Sequence, residues 1–366
     1  MRKLKRGVAL YATDITGHYL VGSQKRAVRI TTSMEKTLIT TLAAGGDEAE
    51  IAALLSTLTP AQRVQSEELI AALDSAQLCQ MRQGKLALSK RFISSSNGRA
   101  TKNSRPEMDA AFIQLQTRVA AELAQTNWIP GVDDGGIEIL GARQDLLIEI
   151  SGTSRVATIV YSLLLASGAT QTRFAPIAHE TSRLVGDLDI AIGSFTSNHI
   201  GCTFDKQCEV LRRELSLFPL DRDNNYGDEI STPDIRIHCG DIDPERLALW
   251  MNSDLPFMHI PTPHADVAQI GPIVIPGKSP CLRCVELAER DQSGVISKQP
   301  LLHNPESEYP VIAAYFIASL AASQVLAFFE KQSSETTGKV ISLDYQALAY
   351  PQVVTIARHP LCGCAF

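Results

Sequence analysis

The chain has 366 residues, of which 45% are hydrophobic and 20% charged, and a net charge of −6. That length asks for two or three domains, and the composition is that of a soluble globular protein. A negative net charge gives no general attraction to nucleic acid or to an anionic membrane, which argues against polyanion binding as the main role.

The chain opens with MRKLKRGVALYATDITG. Its head is basic, but the apolar stretch breaks at Thr13 and Asp14 and no small-residue cleavage site follows. No secretion signal is therefore expected, and the protein is expected in the cytoplasm. Within residues 1–93, GVALYA and RAVRI read as short strands. TSMEKTLITTLAAGG reads as a helix with Thr32 or Ser33 as N-cap and Gly45-Gly46 as its stop. DEAEIAALLSTL and TPAQRVQSEELIAALDSAQ predict two more helices, capped by Asp47 and Thr59, and KLALSKRFI predicts a closing strand. Strands around three helices make this a small, winged-helix-like α+β module.

SSSNGRATKNSRP, residues 94–106, is polar and reads as a linker. The remaining body, 107–366, begins with a helix from about Glu107 to Thr126 and a loop, IPGVDDGGIEILGARQ, holding a short strand. An apolar strand from Leu146 to Ile150 then meets a glycine turn. A helix follows from about Arg155 to Ser167 and stops at Gly168. That is the opening of a doubly wound α/β unit. LDIAIG, DIRIHCG and FMHIPT predict further strands, with helices such as DPERLALWMNS between them. The alternation predicts a mostly parallel sheet with helices on both faces. The run Tyr309 to Phe329 approaches membrane-spanning length, but Ser319, Ser323 and Gln324 interrupt it and alanine is plentiful. A buried core helix is the expectation there, with no membrane partner.

Four of the eight cysteines fall in two tight pairs, Cys281-Leu-Arg-Cys284 and Cys362-Gly-Cys364. In a reducing compartment such pairs are metal ligands more often than disulfides. Each short turn pre-positions two thiolates at the roughly 2.3 Å that zinc requires, and four thiolates leave no open position. A structural zinc stapling the chain end to an interior loop is expected. The alternative is four unlinked thiols, one pair redox-active. Cys79, Cys202, Cys208 and Cys239 read as buried or incidental thiols.

Four stretches of the body, taken in order, resemble the ThiF/MoeB/HesA superfamily of adenylating enzymes related to ubiquitin-activating proteins. They are IEISGTSRVA, PDIRIHCGDIDPERLALW, IGPIVIPGKSPCLRCVEL, and YPVIAAYFIASLAASQVLAFFEK with GKVISLDYQAL. The last resembles the family's long helix and the final strand before the second knuckle. The Pro-Cys-Leu-Arg-Cys and His-Pro-x-Cys-Gly-Cys forms are similar to those of a subgroup of ThiF-like proteins that accompany YcaO cyclodehydratases in making azol(in)e-containing peptides or occur as bacterial ThiF-like proteins without an assigned role. This resemblance implies an N-terminal winged-helix module that grips the leader of a precursor peptide, a YcaO-type or other modifying enzyme as partner, and a homodimer.

It also implies an ATP and magnesium site, and here the sequence departs from the pattern. The turn reads Gly152-Thr153-Ser154-Arg155-Val156-Ala157 and keeps only the first glycine of Gly-x-Gly-x-x-Gly. Ser154 puts a Cβ where backbone would approach phosphate. TQTRFAPIA lacks the expected acid for a ribose, and Ile242 replaces an asparagine beside Asp241. Asp241 stands where a magnesium aspartate belongs, though the preferred reading makes it the helix N-cap in GDIDPERL. Arg155 either meets a phosphate or is an ordinary first-turn residue. The site reads as degenerate, and no catalytic residue is assigned.

The leading expectation is a scaffold that binds a leader peptide for maturation of a ribosomal peptide, with RAVRI and the helix near Glu35 to Leu42 as the walls of its groove. The rival is an active adenylyltransferase acting on the C-terminal carboxylate of a ubiquitin-like sulfur carrier or a peptide. In it Gly152, Arg155 and Asp241 would hold nucleotide, and Cys239 or another thiol would take the acyl group. A nicotinamide or flavin dehydrogenase fits less well, because the glycine motif is broken and the ribose acid is missing.

Overall fold

The structure is a computed structural model describing residues 2–46, 48–82, 105–175, 183–218, 232–263, 266–294, 308–330, 334, 336–347 and 349–364, with backbone alone for 105–114 and 116. These fall into two compact units, one within Met1–Leu88 and Ala100–Ala142, the other within Arg143–Phe366. The Asp47 cap and the strand expected at KLALSKRFI lie outside the described residues.

In the first unit β1 (Lys3–Leu4) pairs antiparallel with β5 (Cys79–Gln80). β2 (Ala9–Ala12), β3 (Tyr19–Gly22) and β4 (Ala27–Ile30) form an antiparallel sheet in that order. β3 is a middle strand to which the sequence reading assigned nothing, and its Val21 is wholly buried. The helices are α1 (Ser33–Ala44), α2 (Glu48–Ser56) and α3 (Pro60–Ser75). Thr32 caps α1 in a reciprocal box with Glu35, and Gly45 ends it at φ 84°. Thr59 and Gln62 form the same box on α3. Leu38, Leu42, Leu69, Leu73 and Leu78 bury their side chains with Val21 and Ile30. This burial, rather than propensity, holds such short elements together.

Helix α4 (Arg105–Thr126) begins within the stretch read as linker, and it clusters with the first unit together with α5 (Ile137–Ala142). The bonds that follow explain why residues 107–142 belong here and not with the body. Buried Lys5 donates from Nζ to the carbonyl of Asn127 at 3.0 Å, and the Met81 N–H donates to the carbonyl of Asp133 at 2.8 Å. Arg82 pairs with Asp133 and Glu138. Where a short strand was expected in IPGVDDGGIEILGARQ, α5 forms instead. The Asp134 carboxylate accepts the N–H groups of Gly136 and Glu138 at its start, at 2.9 and 2.8 Å.

The second unit holds β6 (Ile148–Gly152), α6 (Arg155–Ala166), β7 (Arg173–Phe174), α7 (Phe204–Leu215), β8 (Ile235–Cys239), α8 (Pro244–Met251), β9 (Phe257–Ile260), β10 (Val267–Ile270), β11 (Ile273–Val274), α9 (Leu282–Ser293), α10 (Val311–Phe329), β12 (Lys339–Asp344) and β13 (Gln352–Thr355). The main sheet has the order β11-β9-β8-β6-β7. β7, β6, β8 and β9 are parallel, and β11 is an antiparallel edge. β10, β12 and β13 form a second, antiparallel sheet. The last strand before the terminal cysteines is therefore β13 and not β12.

LDIAIG forms no strand beyond a single bridge at Ile190. The Asp189 carboxylate accepts the Gly186 N–H at 2.9 Å and closes a 3-10 turn over Asp187–Asp189, so local bonding displaces the ladder. α6 and α10 bury one face of the main sheet, with Val160, Leu164, Ala314, Ile317 and Ala318 packed on Ile148, Ile150 and Ile237. Trp250 and Met251 of α8 pack with Phe257 in a second cluster. Helix α10 is long and apolar enough to cross a membrane by length and composition; its small residues line the core of this unit.

Candidate functional site

In an open α/β unit, ligands bind beyond the carboxyl ends of the strands. Here β6 ends at Gly152 with φ 109°, a conformation L side chains rarely adopt, and a Cβ there would lie 1.8 Å from the Cys239 carbonyl oxygen at the end of β8. The glycine therefore serves the close approach of two strand ends. Ser154 follows in extended backbone as the N-cap of α6, and its hydroxyl accepts the Ala157 N–H at 3.3 Å. The second glycine of the motif is thus replaced by a residue that caps the helix from within.

The Glu308 carboxylate lies at the same helix start. It accepts the Arg155 N–H at 2.8 Å through one oxygen and the Tyr309 N–H at 2.9 Å through the other. Burial pushes the Glu308 carboxyl up from its ordinary value, against the pull of these two N–H bonds. The Arg155 guanidinium donates to the carbonyls of Ile190 at 3.1 Å and Tyr309 at 3.3 Å. Arg183, stacked over Phe204 and paired with Asp189, donates to the Thr153 carbonyl at 3.5 Å.

Asp241 lies past β8, where its carboxylate accepts the Thr262 hydroxyl. It is not the cap of α8. Asp243 holds that place and accepts the Arg246 N–H at 2.7 Å. The correction has a simple cause: GDIDPERL offers two aspartates, and proline favours the first helical position, which makes its immediate predecessor the cap. Cys239 is buried at the end of β8, and burial raises its thiol to about 12.

Sequence reasoning missed a polar row across the strand ends. Ser151, His238 and His259 are in register on β6, β8 and β9. His238, 3% exposed, has Nε2 2.8 Å from the Asp241 carbonyl and Nδ1 2.8 Å from Ser151 Oγ. A carbonyl can only accept, so Nε2 carries the proton and the Ser151 hydroxyl donates to Nδ1. Burial lowers the pKa of His238 and keeps the ring neutral. His259 stacks beside it at 6.1 Å, and Trp250 meets its edge at 5.6 Å. The signal was present in DIRIHCG and IEIS, where every second residue of an apolar strand is polar.

The four predicted metal ligands converge. Cys281, Cys284, Cys362 and Cys364 place their sulfurs within 4.8 Å of one another. Cys281 lies 3.9 Å from Cys284 and 3.3 Å from Cys362, and Cys284 lies 3.4 Å from Cys364. A tetrathiolate with metal–sulfur bonds of about 2.3 Å has sulfurs about 3.8 Å apart, so the cluster can hold a metal ion such as zinc with little adjustment. Cys281 caps α9 and Cys284 lies in its first turn, while Gly363, at φ 74°, bends the terminal pair.

The outer shell is present too. The His359 N–H donates to Cys284 Sγ at 3.4 Å, and His359 Nε2 lies 2.9 Å from Asp291. Burial alone would raise the Cys284 thiol. Bonds from His359, Cys281 and the neighbouring thiols bring it down to about 7.

No protein-family model matches the sequence, and no curated protein matches it. Similarity to solved structures is extensive. E. coli MccB in its complex with ATP aligns at a TM-score of 0.60 and 14% identity, covering 100% of this chain and 99% of MccB. The Microcin C7 biosynthetic enzyme MccB with N-formylated MccA gives the same values. A heterocyclase in complex with substrate and cofactor aligns at a TM-score of 0.52 and 10% identity, covering 100% of this chain and 39% of the heterocyclase. At these identities the likeness establishes the fold alone, one this chain shares with MccB over its length.

Proposed function

We propose that this protein is a peptide-binding scaffold for maturation of a ribosomal peptide. The first unit would act as a winged-helix-like clamp on a precursor leader, and the ThiF-like body would present that precursor to a modifying enzyme of the YcaO type. The observation that carries this reading is the chain-long likeness to MccB, which has been captured with the peptide MccA. Among the described residues β4 lies at an edge of its sheet, so an extended peptide could add to it through main-chain hydrogen bonds. We take the metal to be structural zinc, and expect a cytoplasmic homodimer.

The rival, an active adenylyltransferase, draws on the same likeness, since MccB has also been captured with ATP. The α6 turn supports the scaffold. Ser154 and Glu308 take the N–H groups of Ala157 and Arg155, and the Arg155 side chain serves backbone carbonyls.

The test is selection of a displayed random-peptide library on the full-length, zinc-loaded protein, followed by binding of the enriched peptide to wild type and to Arg29→Pro on β4. Enrichment with at least about ten-fold weaker binding to the variant is expected, because proline removes a strand donor. Magnesium-dependent exchange of pyrophosphate into ATP, stimulated by the enriched peptide, would overturn the scaffold in favour of adenylation.

A further inference from the structure

Glu308 stands just ahead of α10, yet its carboxylate reaches the start of another helix 153 positions earlier in the chain. The first N–H groups of a helix have no partner within it and carry partial positive charge. A phosphate bound at a strand–turn–helix uses those same groups. In this chain Glu308 accepts the Arg155 N–H and Ser154 accepts the Ala157 N–H. The Ser154 hydroxyl is a neutral cap of the ordinary kind. Glu308 is different, because a partly buried carboxylate gives up hydration that a neutral cap would not lose.

Arg155 does not form an ion pair with it through the bonds that fix its guanidinium, which go to the carbonyls of Ile190 and Tyr309. Tyr309 in turn donates its hydroxyl to the Pro261 carbonyl, just past β9, so the backbone beside Glu308 is anchored at the same end of the sheet. The carboxylate is therefore held in place by the fold and is not a side chain that has settled there by chance.

We propose that Glu308 is an internal stand-in for a ligand phosphate: it closes the α6 turn to nucleotides, and a chain relieved of its charge binds the oligophosphate of a nucleotide there. An incoming phosphate must displace the carboxylate from the Arg155 N–H and lie against a like charge, which disfavours it strongly where water is scarce. The inference rests on reading this turn as closed to adenylation; it is independent of peptide capture.

The experiment titrates full-length, zinc-loaded wild type, Glu308→Gln and Glu308→Ala with magnesium-ATP in a calorimeter, then repeats the titration in the presence of inorganic pyrophosphate. Wild type is expected to show no saturation at millimolar ATP. Both variants are expected to bind at least about ten-fold more tightly, with pyrophosphate competing. Variants that keep zinc and melting temperature but bind no better than wild type overturn the proposal. So does micromolar ATP binding by wild type, or ATP binding in the variants that pyrophosphate does not displace. Should Glu308→Ala misfold, the near-isosteric Glu308→Gln decides alone, and unfolding of both assigns Glu308 a purely structural role. Peptide capture, scored on the same samples, separates the two readings: its failure breaks the scaffold and leaves the ATP result standing.

Discussion

The cysteine quartet and the α6 turn both carry motifs that sequence reasoning recognises, yet the fold uses them in opposite ways. At the quartet, four side chains from two distant stretches converge to within 4.8 Å, an arrangement that could hold a metal ion. At the turn, Gly152 accommodates a neighbouring strand, Ser154 caps its own helix, and the Arg155 side chain serves backbone carbonyls. A site built from side chains keeps its chemistry wherever the ligands remain. A site built from backbone N–H groups can be taken over by any acceptor the chain supplies, and its motif outlives its use.

Removing one thiolate attacks the intact side of this contrast and should have the largest effect. Cys284→Ser, or metal removal by chelator, is expected to lower the melting temperature by at least about 10 °C, because a closed tetrathiolate couples metal binding to folding. Calorimetry paired with metal analysis checks it. Unchanged melting after confirmed metal loss would reverse the ranking of the two regions.

The next test compares glycines. Gly152→Ala must fit a Cβ 1.8 Å from the Cys239 oxygen, whereas Gly363→Ala at φ 74° meets nothing within 4 Å. Denaturant unfolding should show a loss of about 3 kcal/mol or more for the first. The second should lose about 1–2 kcal/mol. Equal losses would mean that the turn is less tightly built than described.

The smallest effect concerns the polar row behind the turn. The folded-state pKa of His238 lies below its ordinary 6.5, so in the window just under 6.5 the unfolded chain binds a proton the folded chain does not. Its contribution is present above that value and is lost as pH falls toward the folded pKa. Stability measured from pH 7 to 5 should slope less steeply in His238→Gln than in wild type, and parallel slopes would remove His238 from the account.

What could be read beforehand follows from the same contrast. The quartet was legible because cysteine identity and spacing carry the chemistry. The caps at Thr32 and Thr59 were legible because each box closes within three residues. The strand–turn–helix was legible because it is local. Glu308 left no trace, since its partner lies 153 positions away and nothing near either residue announces the other. β3 and β13 were not assigned, although β2, β4 and β9, equally short at four residues, were. Asp241 was taken for a cap because two residues of one type sat two apart, and proline decided between them.

The quartet also changes what it means for this unit to be one chain. Cys281 and Cys284 on one side and Cys362 and Cys364 on the other close a loop that contains α9, α10, β12 and β13. With a metal in place, a protease that severs the backbone anywhere between residues 284 and 362 would yield two fragments that still travel together under native conditions. The metal would hold them together alongside the packing of α10 on the main sheet. Mechanical continuity of the body thus runs along two routes, one peptide and one inorganic, and either can fail without the other.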